Sequence, residues 1–221
     1  KAVGANPMVG CVISRDDKII AQDYHRLYGE GHAEVNALEK INYKGGNTNV
    51  YITLEPCTHF GKTPPCADAL IRAGVKKVFI AMLDPNPLVS GSGVRALQDN
   101  GIEVEVGLLE VEANEINRGF VKRMTSGLPF VTSKIAMSLD GRTAMKNGES
   151  KWITSKASRE DVQMLRSLNQ AILTGSGTIK SDNPMMTVRT ESADSNPLRV
   201  VIDSNNTVSY THLTLPTIYS V

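Results

Sequence analysis

The stretch NVYITLEPCTHFGKTPPCADALIRAG, Asn49 to Gly74, decides the fold class. Its first part, NVYITLEP, is rich in β-branched residues and reads as a strand ending at Pro56. Its last part, PPCADALIRAG, opens on prolines and closes on Gly74, the usual asymmetry of a helix start and stop. A cysteine stands at the end of the strand and another at the start of the helix.

The alternation continues outward in both directions. Upstream, MVGCVISRDDKIIAQDYH reads as two strands around the polar turn Arg15-Asp16-Asp17-Lys18. From His32 the apolar positions Ala33, Val35, Ala37, Leu38 and Ile41 fall on one helical face, stopped by Gly45-Gly46. Downstream, VKKVFIAML is a strand, SGVRALQDNG a helix, IEVEVGLL a strand and EVEANEINRGFVKRM a helix. Strands alternating with helices imply a layered α/β sheet. After TSGLP, Thr125 to Pro129, the pattern restarts: FVTSKIAMS reads as a strand, SKASREDVQMLRSLN as an amphipathic helix, and QAILTG and PLRVVIDS as strands. A domain boundary is therefore expected near residue 127, giving units 1–126 and 127–208. The end, 209–221, fits no continuation of the sheet and reads as a tail, unrelated to what precedes it.

Composition narrows the functional classes. At 221 residues and 41% hydrophobic, the chain can bury a core and fill one large or two modest domains. A formal charge of +1 provides no global field for nucleic acid or an anionic membrane, and no apolar run is long enough to span a bilayer. The opening KAVGANPMVGCVI begins on Lys rather than Met and runs directly into a strand-like segment, so it reads as a fragment whose first segment is missing. Three cysteines, an odd number, argue against a disulfide framework and for a reduced, cytoplasmic setting.

Two of those cysteines pair with a histidine in a metal-ligating pattern. A catalytic zinc takes three protein ligands and keeps one position open. His32, Cys57 and Cys66 supply one imidazole and two sulfurs, and His32-Ala33-Glu34 followed by Pro56-Cys57 is the order of the zinc-dependent nucleobase deaminases. His32 opens one predicted helix and Cys66 lies in the first turn of another, where partial positive charge favours thiolate. Glu34, two residues past His32, reaches a metal-bound water without ligating, and can carry its proton to the departing amine. A structural zinc needs a fourth protein ligand, for which His59 is the nearby candidate. The third cysteine, Cys11, reads as a small core residue.

The segments NPMVGCVI, GHAEVNAL, YITLEPCTHFGKTPPCADALI and AMLDPNPLVSGSG resemble the deaminase half of the bifunctional riboflavin-biosynthesis deaminase-reductases. Cytidine and tRNA adenosine deaminases keep the same order but usually only two residues between the cysteines; here THFGKTPP fills that interval. KIAMSLDGRTAMKNGESKWITS and AILTGSGTIKSDNPMMTVR are similar to the opening of that family's reductase domain. The resemblance runs from about Gly4 to about Asn205 and implies a cytidine-deaminase-like α/β/α domain, then part of a dihydrofolate-reductase-like α/β domain.

The implied chemistry is hydrolysis of the 2-amino group of 2,5-diamino-6-(5-phosphoribosylamino)pyrimidin-4(3H)-one, then NADPH-dependent reduction of the ribosyl group to ribityl. Zinc and NADPH are the implied cofactors, a small molecule the implied partner, and a homo-oligomer the implied state. Asn6, before Pro7 at a strand entry, can offer its amide to the pyrimidine edge, and His59 and Lys62, between the two cysteines, suit the substrate's phosphate; Asn86 in DPNP resembles a family substrate contact. The resemblance assigns Ala136, Trp152, Thr178 and Asp182 to NADPH, and Lys134, Ser150, Arg166 and Arg189 to the substrate of the reductase. Arg166 and Arg189 suit a phosphate, which guanidinium grips bidentately. Lys134 stands out as a charge inside an apolar run. TGSGT, Thr174 to Thr178, follows a strand and can offer N–H groups to a phosphate, but lacks the full dinucleotide fingerprint. Two other readings stay open: a deaminase for another base or nucleoside, and a binding module whose zinc is structural.

Overall fold

The computed structural model describes residues 6–87, 89–190 and 196–208. The chain divides into two compact units between Val131 and Thr132. In the first, strands β1 (Gly10–Arg15), β2 (Lys18–Tyr24), β3 (Asn49–Ile52), β4 (Lys77–Ile80) and β5 (Glu103–Val106) form one sheet in the order β2-β1-β3-β4-β5. β1 pairs antiparallel with β2 and β3, whereas β3, β4 and β5 run parallel. Parallel neighbours need a crossover, and helices α2 (Cys66–Ala73) and α3 (Ser92–Asp99) supply the two required. Helix α1 (Ala33–Glu39) joins β2 to β3, and α4 (Glu110–Ser126) follows β5.

Alternation along the strands decides which face is covered. Cys11, Ile13, Val50, Ile52, Val78 and Ile80 point to one face and are buried with Ala33, Ala37 and Leu38 of α1, Ala69 and Leu70 of α2 and Leu97 of α3. Cys11 is thus a core residue, as its setting in VGCVI suggested. Val12, Tyr51 and Phe79 occupy the opposite face, where the rings of Tyr51 and Phe79 stack 4.6 Å apart. Helix α4 forms the third layer: its Ala113 joins Leu54, Ala81 and Met82 in a second buried cluster.

At the edge strand β2, the Asp23 carboxylate is buried and accepts from the Lys40 ammonium at 2.9 Å, the Arg26 guanidinium at 2.8 Å and the N–H of Tyr24 at 2.8 Å. Burial pushes its pKa up, but Lys40, the Tyr24 N–H and Arg26 together outweigh that and hold it below the usual carboxylate range. A lowered folded pKa means that this stabilisation is present above the unfolded pKa and lost as pH falls through the folded one. Asp23→Asn is therefore expected to cost about 1–3 kcal/mol at neutral pH. Urea unfolding at neutral and acidic pH checks this, since the gap between parent and variant should close in acid.

The second unit contains α5 (Lys156–Leu168), β6 (Ala171–Gly175), α6 (Ser176–Asp182) and β7 (Leu198–Ile202), with β6 and β7 parallel. Ser155 caps α5 by accepting from the N–H of Ser158. Ile179, Met186 and Val208 form its buried cluster. One expectation is corrected here. The apolar run FVTSKIAMS, read as a strand, forms none: residues 130–138 have no ladder, and Val131, Ile135 and Met137 are exposed. A β-prone segment becomes a strand only where a neighbour accepts its hydrogen bonds, and the described sheet of this unit has two strands. The proposed tail, 209–221, lies outside the described residues.

Candidate metal centre

Parallel sheets present their sites at the carboxyl ends of the strands. Past the end of β3 the chain runs through Pro56 and Cys57, and past the end of β4 through Asp84 and Asn86. The starts of α1 and α2 meet that end of the sheet. His32 is the residue that precedes α1 in extended conformation (φ −73°, ψ 165°), and Cys66 is the first residue of α2.

These elements bring the three predicted ligands together. His32 Nδ1 lies 3.1 Å from Cys66 Sγ and 3.6 Å from Cys57 Sγ. All three ligand atoms lie within 4.8 Å of one another, and among the described residues no fourth His, Cys, Asp or Glu joins the group. Tetrahedral zinc at its usual bond lengths separates a nitrogen and a sulfur ligand by about 3.6 Å. The set fits zinc with one position left for another ligand.

The electrostatics agree with that fit. Cys57 accepts from the Cys66 thiol, from His32 and from the Cys66 backbone N–H, which lowers its pKa to about 4 despite its burial. The Cys66 thiol, donating to Cys57 and buried beside Glu34, is pushed well up. His32 is raised, chiefly by its contact with Cys57. The pair of sulfurs thus shares one proton, which a dication would displace. Glu34, the second residue of α1, is 3% exposed, and its Oε2 is buried with no hydrogen-bond partner. Burial raises its pKa, so it holds a proton more readily than an ordinary glutamate. An unpaired buried carboxylate oxygen is costly, and its place beside a metal-ligating trio gives it a chemical reason.

Glu34, His32 and Cys57 line a cavity of about 340 Å³, and so do Asn6, His59, Lys62 and Asn86. The Lys62 ammonium sits over the Tyr28 ring, 4.1 Å from its centroid. Burial pushes the Asp84 carboxyl up, while its Oδ1 accepts from the Asn86 N–H at 2.8 Å.

Two buried residues that support this site were missed in the sequence: His25, which lines the cavity, and Asn117 of α4. His25 is buried, with Nδ1 3.1 Å from Gly31 O and Nε2 3.3 Å from Asn6 Nδ2. A carbonyl only accepts, so Nδ1 bears the proton and Nε2 accepts from the Asn6 amide. That leaves the Asn6 carbonyl oxygen as the end available to a ligand. Asn117 is buried at a kink in α4 (φ −110°, ψ 15°) and clamps the backbone of Met8 through both amide atoms, at 2.8 and 2.9 Å. A polar residue within an amphipathic helix was the hint for Asn117; nothing in DYHR marked His25.

In the second unit the predicted residues are less gathered. Arg166 is half-buried, donates to Thr187 O at 3.0 Å, and has its pKa lowered by burial and by the nearby charge of Arg189. Two guanidinium charges that act on one another are apt for an anion. Trp152 is 70% exposed, with the Arg159 guanidinium 4.3 Å from its ring centroid, so it is no core residue. Thr178 and Asp182 stand four residues apart on α6, both exposed. Lys134 is exposed, and Ala136 and Ser150 are half-buried outside regular structure. TGSGT proves to be a direct junction in which α6 begins at Ser176, immediately after β6.

Residues 2–82 match the cytidine and deoxycytidylate deaminase zinc-binding region, and residues 129–218 match the RibD C-terminal domain. The riboflavin biosynthesis protein RibD of Escherichia coli K12 is 49% identical over 94% of this chain and 60% of its own length. That of Bacillus amyloliquefaciens is 49% identical over 93% of this chain and 56% of its own. Among solved structures, RibD of Acinetobacter baumannii superposes with a TM-score of 0.89 at 46% identity, over 96% of this chain and 62% of that one. The diaminohydroxyphosphoribosylaminopyrimidine deaminase/5-amino-6-(5-phosphoribosylamino)uracil reductase of Thermotoga maritima gives 0.88 at 42% identity, over 93% and 59%. The chain spans about 60% of the length of the curated relatives it matches. With a deaminase zinc-binding region followed by a RibD C-terminal domain, the chain is similar along most of its length to the RibD riboflavin biosynthesis proteins.

Proposed function

We propose that this protein deaminates 2,5-diamino-6-(5-phosphoribosylamino)pyrimidin-4(3H)-one by zinc-dependent hydrolysis, and that its second unit is the first part of a reductase for the product. The observation that carries this reading is Glu34, a buried carboxylate with an unpartnered oxygen, on the wall that holds the His32, Cys57 and Cys66 trio. His32, Cys57 and Cys66 hold the metal. Bound zinc supplies Lewis acidity, which brings water into the hydroxide range near pH 7. Glu34 takes one proton from the attacking water and passes it to the ring nitrogen, then moves the second, from the added hydroxyl, to the departing amine, an amide-like group that leaves as ammonia only once protonated. Its raised pKa suits that exchange near neutrality. The Asn6 carbonyl oxygen accepts from the pyrimidine edge, and Lys62 and His59 meet the phosphate, with Asn86 alongside.

Residues 1–126 form the deaminase domain in this reading, and 127–208 the beginning of the reductase. There bound NADPH would supply the hydride that reduces the ribosyl group. Ala136, Trp152, Thr178 and Asp182 bind it, while Lys134, Ser150, Arg166 and Arg189 bind the phosphorylated substrate; the adjacent Arg166 and Arg189 charges support the phosphate assignment. The protein is taken to act in the cytoplasm as a homo-oligomer. This rests on the family and on three cysteines left free among the described residues.

Ammonia release from the diaminopyrimidine phosphate, with and without a chelator, tests the reading. Turnover that the chelator abolishes is expected. Release from cytidine but not from the diaminopyrimidine phosphate overturns it in favour of another nucleobase deaminase. A structural zinc is disfavoured because His59, its candidate fourth ligand, stands outside the trio.

A further inference from the structure

Between the end of β3 and Cys57 lies Glu55, a residue that the chemistry above does not use. It is 4% exposed and reaches four backbone N–H groups. Its Oε1 accepts from Gly93 at 2.8 Å and Val94 at 3.2 Å, both in the first turn of α3. Its Oε2 accepts from Asp84 at 3.1 Å and Gly91 at 3.0 Å, the two ends of the turn that carries Asn86 and Val89. Its own N–H donates to Met82 O at 3.0 Å, and one residue past Cys57 the Thr58 hydroxyl meets that of Ser92 at 3.0 Å. Both sides of the metal-ligating cysteine are therefore tied to the start of α3. Gly93 is part of the same device: a Cβ there would stand 2.3 Å from Pro56 O and 3.2 Å from Glu55 Oε1.

We propose that Glu55 is a positioning residue for substrate binding, whose carboxylate anchors the Asp84–Asn86 turn to the segment bearing Cys57 and so sets where Asn86 meets the substrate. The proposal rests on the deaminase reading. One carboxylate joins the two wall segments, past β3 and past β4, at both ends of the turn, beyond the single links that the Glu55 N–H makes to Met82 O and the Thr58 hydroxyl to Ser92. Cys57 keeps other supports, since Ala67 N–H donates to its carbonyl at 3.1 Å and Cys66 N–H faces its sulfur at 3.4 Å. Loss of the Glu55 charge thus moves the turn and leaves the metal ligands in place.

Glu55→Gln keeps the shape but turns an NH₂ group toward two N–H donors. The expected result is a KM about tenfold higher with kcat within about threefold of the parent, the pattern of lost uniform binding. The cobalt-substituted protein, whose visible spectrum reports the ligand set, should match the parent. Amide hydrogen exchange at Asp84, Gly91, Gly93 and Val94 should quicken. If Glu55→Gln does not fold, Glu55→Asp, which keeps the charge but draws it back from the four N–H groups, should show the same KM rise. A variant that melts earlier but keeps the parent KM and kcat overturns the proposal, because Glu55 is then a plain helix cap. An altered cobalt spectrum also overturns it, since the residue would then serve the metal. A parent that releases no ammonia sinks the deaminase reading itself, and that result needs no variant to be seen.

Discussion

Glu34→Gln should lower ammonia release by about 10²–10⁴-fold while zinc content stays at the parent level. Gln has the size and shape of Glu, so the packing around a residue only 3% exposed is preserved. What disappears is the ability to take a proton from water and hand it on. Metal binding survives because Glu34 stands outside the trio of ligands. Stability gives a second readout. Burial raises the carboxyl's pKa in the fold, so ionised Glu34 costs stability above that pKa and nothing well below it. A neutral amide removes that cost, and the metal-free variant should melt no earlier than the metal-free parent at neutral pH. Zinc content by elemental analysis, steady-state ammonia release and thermal unfolding check the three parts. Substantial turnover in Glu34→Gln would move the proton-carrying role to another group.

Cys57→Ser should remove both zinc and turnover. Hydrogen bonds from the Cys66 thiol and from His32 lower the pKa of Cys57 to about 4, and its sulfur reaches His32 and Cys66 alike. Serine puts in its place a weak, protonated oxygen. A fold that binds zinc gains about 4 kcal/mol at a thousandfold excess over Kd, and the variant forfeits that share. Its unfolding midpoint should no longer rise when zinc is added. Cys11→Ala is the control: its sulfur is buried in the sheet core with Ile13 and Val50, so the change lowers stability but leaves zinc and turnover intact. Zinc retained by Cys57→Ser at parental affinity would show that the trio is not the metal site.

The sequence was most legible where a local pattern coincided with a local cause. In the strands, alternation put Cys11, Ile13, Val50 and Ile52 on one face, and that face is the core. Proline and glycine marked both ends of α2, which runs from Cys66 to a left-handed Gly74. The His-x-Glu and Pro-Cys spacing marked the ligands because zinc restricts ligand type and count. Asn6, His59 and Lys62, singled out by their positions, and Asn86, carried over from the family likeness, all border the cavity that His32 and Cys57 line. Ala136, Trp152, Thr178 and Asp182 lie in the second unit in less regular surroundings, where the run 130–138 has no ladder.

By itself, then, the sequence determined the alternation of strands and helices, the core face of the sheet and which histidine and two cysteines the fold would gather, since each depends on residues close in the chain or on a fixed chemical spacing. Only the tertiary structure decided that Asn117 would clamp Met8 from 109 positions away, that His25 would orient the Asn6 amide, and that Glu55 would gather N–H groups some 30 to 40 residues downstream. It also decided that FVTSKIAMS would stay outside any sheet. The physical reason is common to these cases. A hydrogen bond needs its partner at about 3 Å, and whether a distant residue arrives there depends on how the layers pack, which no local pattern encodes.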